Sequence, residues 1–111
     1  MASRYVFTGK SGAAYTYAPL GPQERLRPLA GNYVLAKVEG DKAEVLYAGE
    51  TDNFMAVGWT ELLEKGREAY GAVEALVRLN VRGAVRRDER DDLVEAYDPP
   101  MNKADGVRKA G

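Results

Sequence analysis

Two runs of alternating residues, YVLAKVE from Tyr33 and KAEVLYAG from Lys42, meet at Gly40-Asp41. No other feature restricts the possible folds as much. Two residues of turn chemistry between two runs of period two predict a β-hairpin. In the first run Val34, Ala36 and Val38 alternate with Leu35, Lys37 and Glu39, so at least one face of that strand is covered. The chain has 111 residues, enough for one domain with a modest core.

The same logic extends outward. RYVFT (4–8) and AAYTYA (13–18) are rich in aromatic and β-branched residues and flank Gly9-Lys10-Ser11-Gly12, which predicts an N-terminal hairpin over about 4–18. Leu20 to Gly31, with two internal prolines, reads as a connecting loop. Thr51 or Asp52 is placed to cap a helix from Asn53, with a break near Gly58 and a second start near Thr60 that turns Leu62, Leu63 and Tyr70 inward. ALVRLN together with Val81 reads as a further central strand. Ala84 to Tyr97 reads as a helix stopped by Asp98-Pro99-Pro100, with Val85, Leu93, Ala96 and Tyr97 as a narrow apolar stripe. The order β-β-β-β-α-β-α predicts an α/β (α+β) fold, a small, mainly antiparallel sheet with helices packed on it. One domain is expected over 1–102, with 103–111 as a flexible polar tail.

Composition narrows the chemistry. There is no cysteine, so neither a disulfide nor a thiolate metal site is available, and there is no histidine, the commonest general base. Acid–base work would fall to carboxylates, tyrosine, lysine or water, and any metal would be a hard ion held by oxygen, such as magnesium. No apolar run is long enough to span a bilayer and the N-terminus lacks a signal-peptide stretch, which points to the cytoplasm and to no membrane partner. The net charge of −1 gives no overall attraction for nucleic acid, so binding to DNA would need a local patch. Arg82, Arg86, Arg87 and Arg90 form the candidate patch, interleaved with Asp88, Glu89, Asp91 and Asp92 as on many solvated helix faces. Gly9-Lys10-Ser11 is not a phosphate loop: Tyr5 stands where its first glycine belongs, and a strand follows where a helix is required.

Two triplets stand out within the central hairpin, Gly31-Asn32-Tyr33 and Tyr47-Ala48-Gly49. With Glu50 to Phe54 after them, and with the closing run Leu93-Val94-Glu95-Ala96-Tyr97-Asp98-Pro99-Pro100-Met101-Asn102, they resemble the GIY-YIG nuclease domain over about Ala30 to Asn102. The first segment resembles the extra hairpin of small stand-alone bacterial members. The resemblance implies a cleft lined by Tyr33 and Tyr47, with Gly49 and Asn102 also at motif positions. It further implies a magnesium ion on a glutamate of the closing helix, and an arginine of the first helix on the phosphate. Such parts suit phosphodiester cleavage, which needs an activated water, a metal and a cation.

Three positions depart from the pattern. The position of the helix arginine is Val57, and that of the metal glutamate is Arg90, with Glu89 one residue away and about 100° around the helix. A basic residue common after the second triplet is replaced by Glu50. The resemblance therefore implies a scaffold that has lost catalysis and acts by binding nucleic acid or a protein. An active magnesium-dependent endonuclease would need Glu89 as metal ligand and Arg67 as the cation. A third expectation is a small interaction module in which the tyrosines simply pack and Phe54, Met55 and Trp59 face a protein partner, the alternative for these three being ordinary core packing.

Overall fold

The computed structural model describes residues 4–40 and 42–105. Five strands form one sheet: β1 (Tyr5–Thr8), β2 (Ala14–Pro19), β3 (Gly31–Glu39), β4 (Lys42–Thr51) and β5 (Glu74–Leu79). Their spatial order is β1-β2-β5-β3-β4, and every neighbouring pair is antiparallel. The helices are α1 (Pro22–Leu26), α2 (Trp59–Tyr70), α3 (Gly83–Tyr97) and α4 (Pro100–Asp105), with a 3-10 turn at Phe54–Ala56. This is an α+β fold with an N-terminal hairpin. Among the described residues no helix is long and apolar enough to cross a membrane.

Period-two alternation gives the central strands two buried faces. On one, Val34, Ala36, Val45, Ala48 and Leu76 pack with Phe7 and Tyr17 of the hairpin and with Leu93 and Val94 of α3. On the other, Leu35, Tyr47, Val77, Phe54, Trp59 and Met101 form a second cluster against which Leu62, Leu63 and Tyr70 of α2 pack. A register shift after Leu35, whose partner is Tyr47 while Ala36 pairs with Val45, leaves Leu46 as an extra residue. Leu46 and Tyr47 consequently both serve the α2 side.

Several boundaries differ from those predicted. The expected loop at 20–31 contains α1, a single turn with Pro22 at its first position and Pro28 beyond its end. Glu24 Oε1 accepts from Gly21 N–H at 2.8 Å and steadies that turn. The residue capping the 3-10 turn is Asn53, whose side chain accepts from Met55 N–H at 3.0 Å, while Thr51 Oγ1 accepts from Asn53 N–H at 3.1 Å. Val81 lies beyond β5 and is 84% exposed. In α3 the expected stripe is mostly wet: Leu93 is buried beside Val94, while Val85, Ala96 and Tyr97 are exposed. The tail begins later than expected, because Lys103–Asp105 continue α4, and residues 106–111 lie outside those described, as does Asp41 of the predicted turn.

A carboxylate clasps the N-terminal hairpin to α3. Asp92 accepts from Ser11 N–H at 2.8 Å, from the Ser11 hydroxyl at 2.7 Å and from the Tyr15 hydroxyl at 2.7 Å, while its backbone carbonyl accepts from Lys10 N–H at 3.2 Å. A Cβ at Gly9 would collide with this carboxylate, so a larger residue there would displace Asp92 from the turn. The turn that superficially resembles a phosphate loop thus does hold an anion, one from its own chain. Burial and the bond to Asp92 push the Tyr15 hydroxyl up to about 12. For Asp92, partial burial acts upward but the bonds from Ser11 and Tyr15 outweigh it and hold the carboxyl below its usual 3.8. A depressed carboxyl stabilises the fold above its unfolded value and ceases to do so as the pH falls through its folded value. Urea midpoints compared at about pH 7 and about pH 3 should therefore show an acid-induced loss that Asp92→Asn reduces.

Tyr17 is the other point of interest in the hairpin. It is 1% exposed, packs edge-on against Phe7 at 5.6 Å, and its hydroxyl has no hydrogen-bond partner among the described residues. A buried unsatisfied hydroxyl costs about 1–3 kcal/mol, so Tyr17→Phe should leave stability unchanged or raise it by about 1 kcal/mol in urea denaturation.

Candidate functional site

The residues of the two triplets separate according to strand parity. Tyr33 and Tyr47 point to the α2 side, where their rings lie 6.0 Å apart. Tyr33 also meets Trp59 edge-on at 5.2 Å, and the Trp59 indole N–H donates to the Phe54 carbonyl at 3.0 Å. Gly49 is the register partner of Tyr33, and a Cβ there would stand 2.5 Å from Tyr33 Cζ. The glycine thus makes room for the ring to lie across β4. An open pocket of about 250 Å³ adjoins the tyrosines, lined also by Val57, Gly58, Glu61, Leu62 and Lys65.

Val57, at the position where the resemblance expects an arginine, does reach this pocket. Lys65 and Glu61, one helical turn apart on α2, also line it and were not singled out from the sequence. Their signal was present as a Glu-x-x-x-Lys spacing after the second triplet, but that spacing is common on exposed helices. Arg67 lies elsewhere, lining a separate hollow with Arg25, Leu63 and Val73. A third hollow, lined by Arg25, Leu26, Val57, Trp59 and Glu61, shares residues with both and makes one furrow around the start of α2. Phe54 and Trp59 are core residues, as ordinary packing expects and against the surface role of the third expectation, and of the three only Met55 is exposed.

Asn102 is fully buried and holds the edge of the sheet. Its amide accepts from Ala48 N–H at 2.8 Å and donates to the Ala48 carbonyl at 2.9 Å, imitating a neighbouring strand. β4 is an outer strand, so Ala48 would otherwise present unpaired backbone groups to buried surroundings. Proline 99 ends the preceding helix and lets α4 bring Asn102 to this point.

The α3 side of the sheet holds a different set. Register aligns Glu50 with Asn32 and Asn32 with Arg78, a row across β4, β3 and β5. α3 answers this row with the opposite charges. Arg86 Nε donates to Glu50 at 2.9 Å, and Arg78 Nε donates to Glu89 at 2.9 Å. Asn80 Nδ2 donates both to Asn32 Oδ1 and to Glu89 Oε2, each at 3.0 Å, and Asn32 Nδ2 donates to the Arg86 carbonyl at 2.9 Å. Arg86 also donates to the carbonyls of Asn80 at 3.2 Å and Val81 at 2.7 Å. Arg90 lies 3.9 Å from Glu50 and donates to Asp91 at 3.1 Å.

Glu89 and the tyrosines therefore occupy opposite faces of the sheet. Both carboxylate oxygens of Glu89 already accept hydrogen bonds, and Glu61 is the carboxylate lining the tyrosine pocket. Among the described residues no three carboxylates converge on a point that could hold a metal. Magnesium prefers an oxygen-rich octahedron, so these donors do not fit the ion the resemblance implies. The basic helix is similarly divided: Arg86 is buried and Arg90 is half-buried and paired, which leaves Arg82 and Arg87 at the surface.

No family model, curated protein or solved structure matches the chain.

Removing one member of a buried, hydrogen-bonded ion pair costs about 3–5 kcal/mol, whereas exposed charges contribute within about 0.5 kcal/mol. Arg86→Ala should accordingly unfold at much lower urea than Arg82→Ala or Arg87→Ala. Asn102→Ala should cost about 2–3 kcal/mol by leaving both Ala48 backbone groups unpaired.

Proposed function

We propose that this chain is a GIY-YIG nuclease-like domain that no longer cleaves and acts by binding a nucleic-acid backbone along the furrow around α2. The observation that carries this reading is the separation of the motif residues. Tyr33, Tyr47 and Gly49 keep their mutual packing, but Val57 stands beside them in place of a guanidinium. Glu89 lies behind the sheet, neutralised by Arg78. A phosphodiester in the pocket would meet neither the metal nor the arginine that its transition state requires.

Binding needs less than cleavage. Arg25, Lys65 and Arg67 distribute three cations along the furrow, with Glu61 and Glu74 as its carboxylates. This supports weak, salt-sensitive contact with phosphates, in keeping with a net charge of −1. The N-cap of α2 is Gly58, which brings no side chain, so the positive end of the helix dipole lies at the middle of the furrow. The exposed Leu26 and Met55 favour a protein partner as the second reading, because they lie on α1 and the neighbouring 3-10 turn, which are in contact.

Fluorescence anisotropy with labelled single-stranded and duplex DNA separates these readings. The nucleic-acid reading expects log K to fall with log salt by a slope of about −2 to −3, for about three phosphate contacts. Lys65→Glu and Arg25→Glu should each weaken binding, whereas Arg82→Glu should not. Absence of any salt-dependent binding would leave the protein-partner reading. Magnesium-dependent nicking above background, abolished by Tyr33→Phe, would overturn the loss of catalysis.

A further inference from the structure

The three hollows of the furrow do not lie in a line. Lys65 and Glu61 line the tyrosine pocket, Arg67 and Leu63 line the hollow beside Arg25, and these two hollows share no lining residue. Lys65 and Arg67 are two residues apart on α2, which at about 100° per residue sets them about 200° apart, on opposite flanks of the helix. The third hollow joins the two across the first turn of α2, meeting one at Arg25 and the other at Val57, Gly58 and Glu61. A path through all three therefore bends round the end of a helix, whose diameter with side chains is about 10–12 Å.

The charges along this path are not consumed by the architecture. Among the described residues Arg25, Lys65 and Arg67 have no ion pair, in contrast to Arg86 and Arg90 on α3. Lys65 stands on one flank and Arg67 on the other, and Arg25 of α1 lines both the Arg67 hollow and the joining one. Each flank also carries a carboxylate, Glu61 beside Lys65 and Glu74 beside Arg67. Between the charges the lining is apolar and half-buried, with Val57 and Leu62 on the first flank and Leu20 and Leu63 on the second.

We propose that the ligand of this furrow is a single nucleic-acid strand that bends round the start of α2, and not a duplex. The proposal rests on the nucleic-acid reading given above. Duplex DNA has a persistence length of about 50 nm, so across the width of one helix it is a straight rod and reaches a single flank. There it would meet a carboxylate beside each cation, and its stacked bases would gain nothing from the apolar lining. A single strand turns at every nucleotide. Its phosphates reach Lys65, Arg25 and Arg67 in succession, while its open base faces lie against the leucines and Val57. Unpaired bases also present amino groups, from which Glu61 and Glu74 accept. The mixture of charges that opposes a duplex thus suits a single strand.

Fluorescence anisotropy of the full chain with labelled decathymidylate and with a blunt duplex, at one salt concentration, tests this. The single strand is expected to bind about tenfold more tightly than the duplex. Lys65→Glu and Arg67→Glu, both at exposed positions, should each weaken binding of the strand by about tenfold. A thymidine trinucleotide, too short to round the helix, should bind at least about tenfold more weakly than the decamer. Unchanged urea midpoints of the variants keep these losses apart from unfolding. Salt-dependent binding of the duplex as tight as that of the strand overturns the proposal and leaves the nucleic-acid reading standing. A loss with Lys65→Glu but none with Arg67→Glu overturns the bend in the same way. No salt-dependent binding of either probe overturns both.

Discussion

The alignment of Arg86 and Glu89 on α3 with the row Glu50, Asn32 and Arg78 across the sheet is the constraint on which the rest of the structure depends. The two helix residues are three apart and so share a face, and their charges are the reverse of those beneath them. Sliding α3 by one turn would bring like charges together or leave a guanidinium buried without an acceptor. Apolar contacts alone would not specify that position, because Leu93 and Val94 are the buried apolar residues of the helix and sit toward its C-terminal end. The polar row thus sets the register of α3, and the apolar cluster below it supplies adhesion.

With α3 held in this way, several further placements follow. Asp92 is carried to the hairpin turn, where it ties down Ser11 and Tyr15. Asp98 ends α3 in a left-handed conformation, and the chain re-enters as α4 so that Asn102 closes the outer edge of β4. One helix thereby connects the two outer parts of the sheet. The same placement commits Glu89 and Arg86 to internal partners, so residues that look available for a metal or a phosphate in the one-dimensional pattern are consumed by the architecture.

Much of the fold was legible beforehand because it follows from local rules. The central hairpin, its alternation and the first hairpin are all period-two patterns around turn residues, and the helix over 84–97 ends where Pro99 and Pro100 require. The turn at Pro22–Leu26 was not legible, since two prolines in a short stretch mark a loop and a single helical turn alike. The burial of Phe54 and Trp59 suits ordinary core packing, but the sequence did not separate them from the exposed Met55. Their spacing is compatible with a surface patch until Tyr33 and the second sheet face are in place to receive them.

By itself, the amino-acid order determined that the chain would form paired antiparallel strands with helices on them. Strand parity and turn chemistry are properties of neighbours in the chain. Only the tertiary structure decided that the bulge at Leu46 brings Tyr47 to the Tyr33 side, that Val57 and Lys65 join the two tyrosines, and that Glu89 and Arg90 lie behind the sheet. The face a helix presents to a sheet depends on which distant charges and cavities it meets, and those partners are brought together only when the strands have assembled.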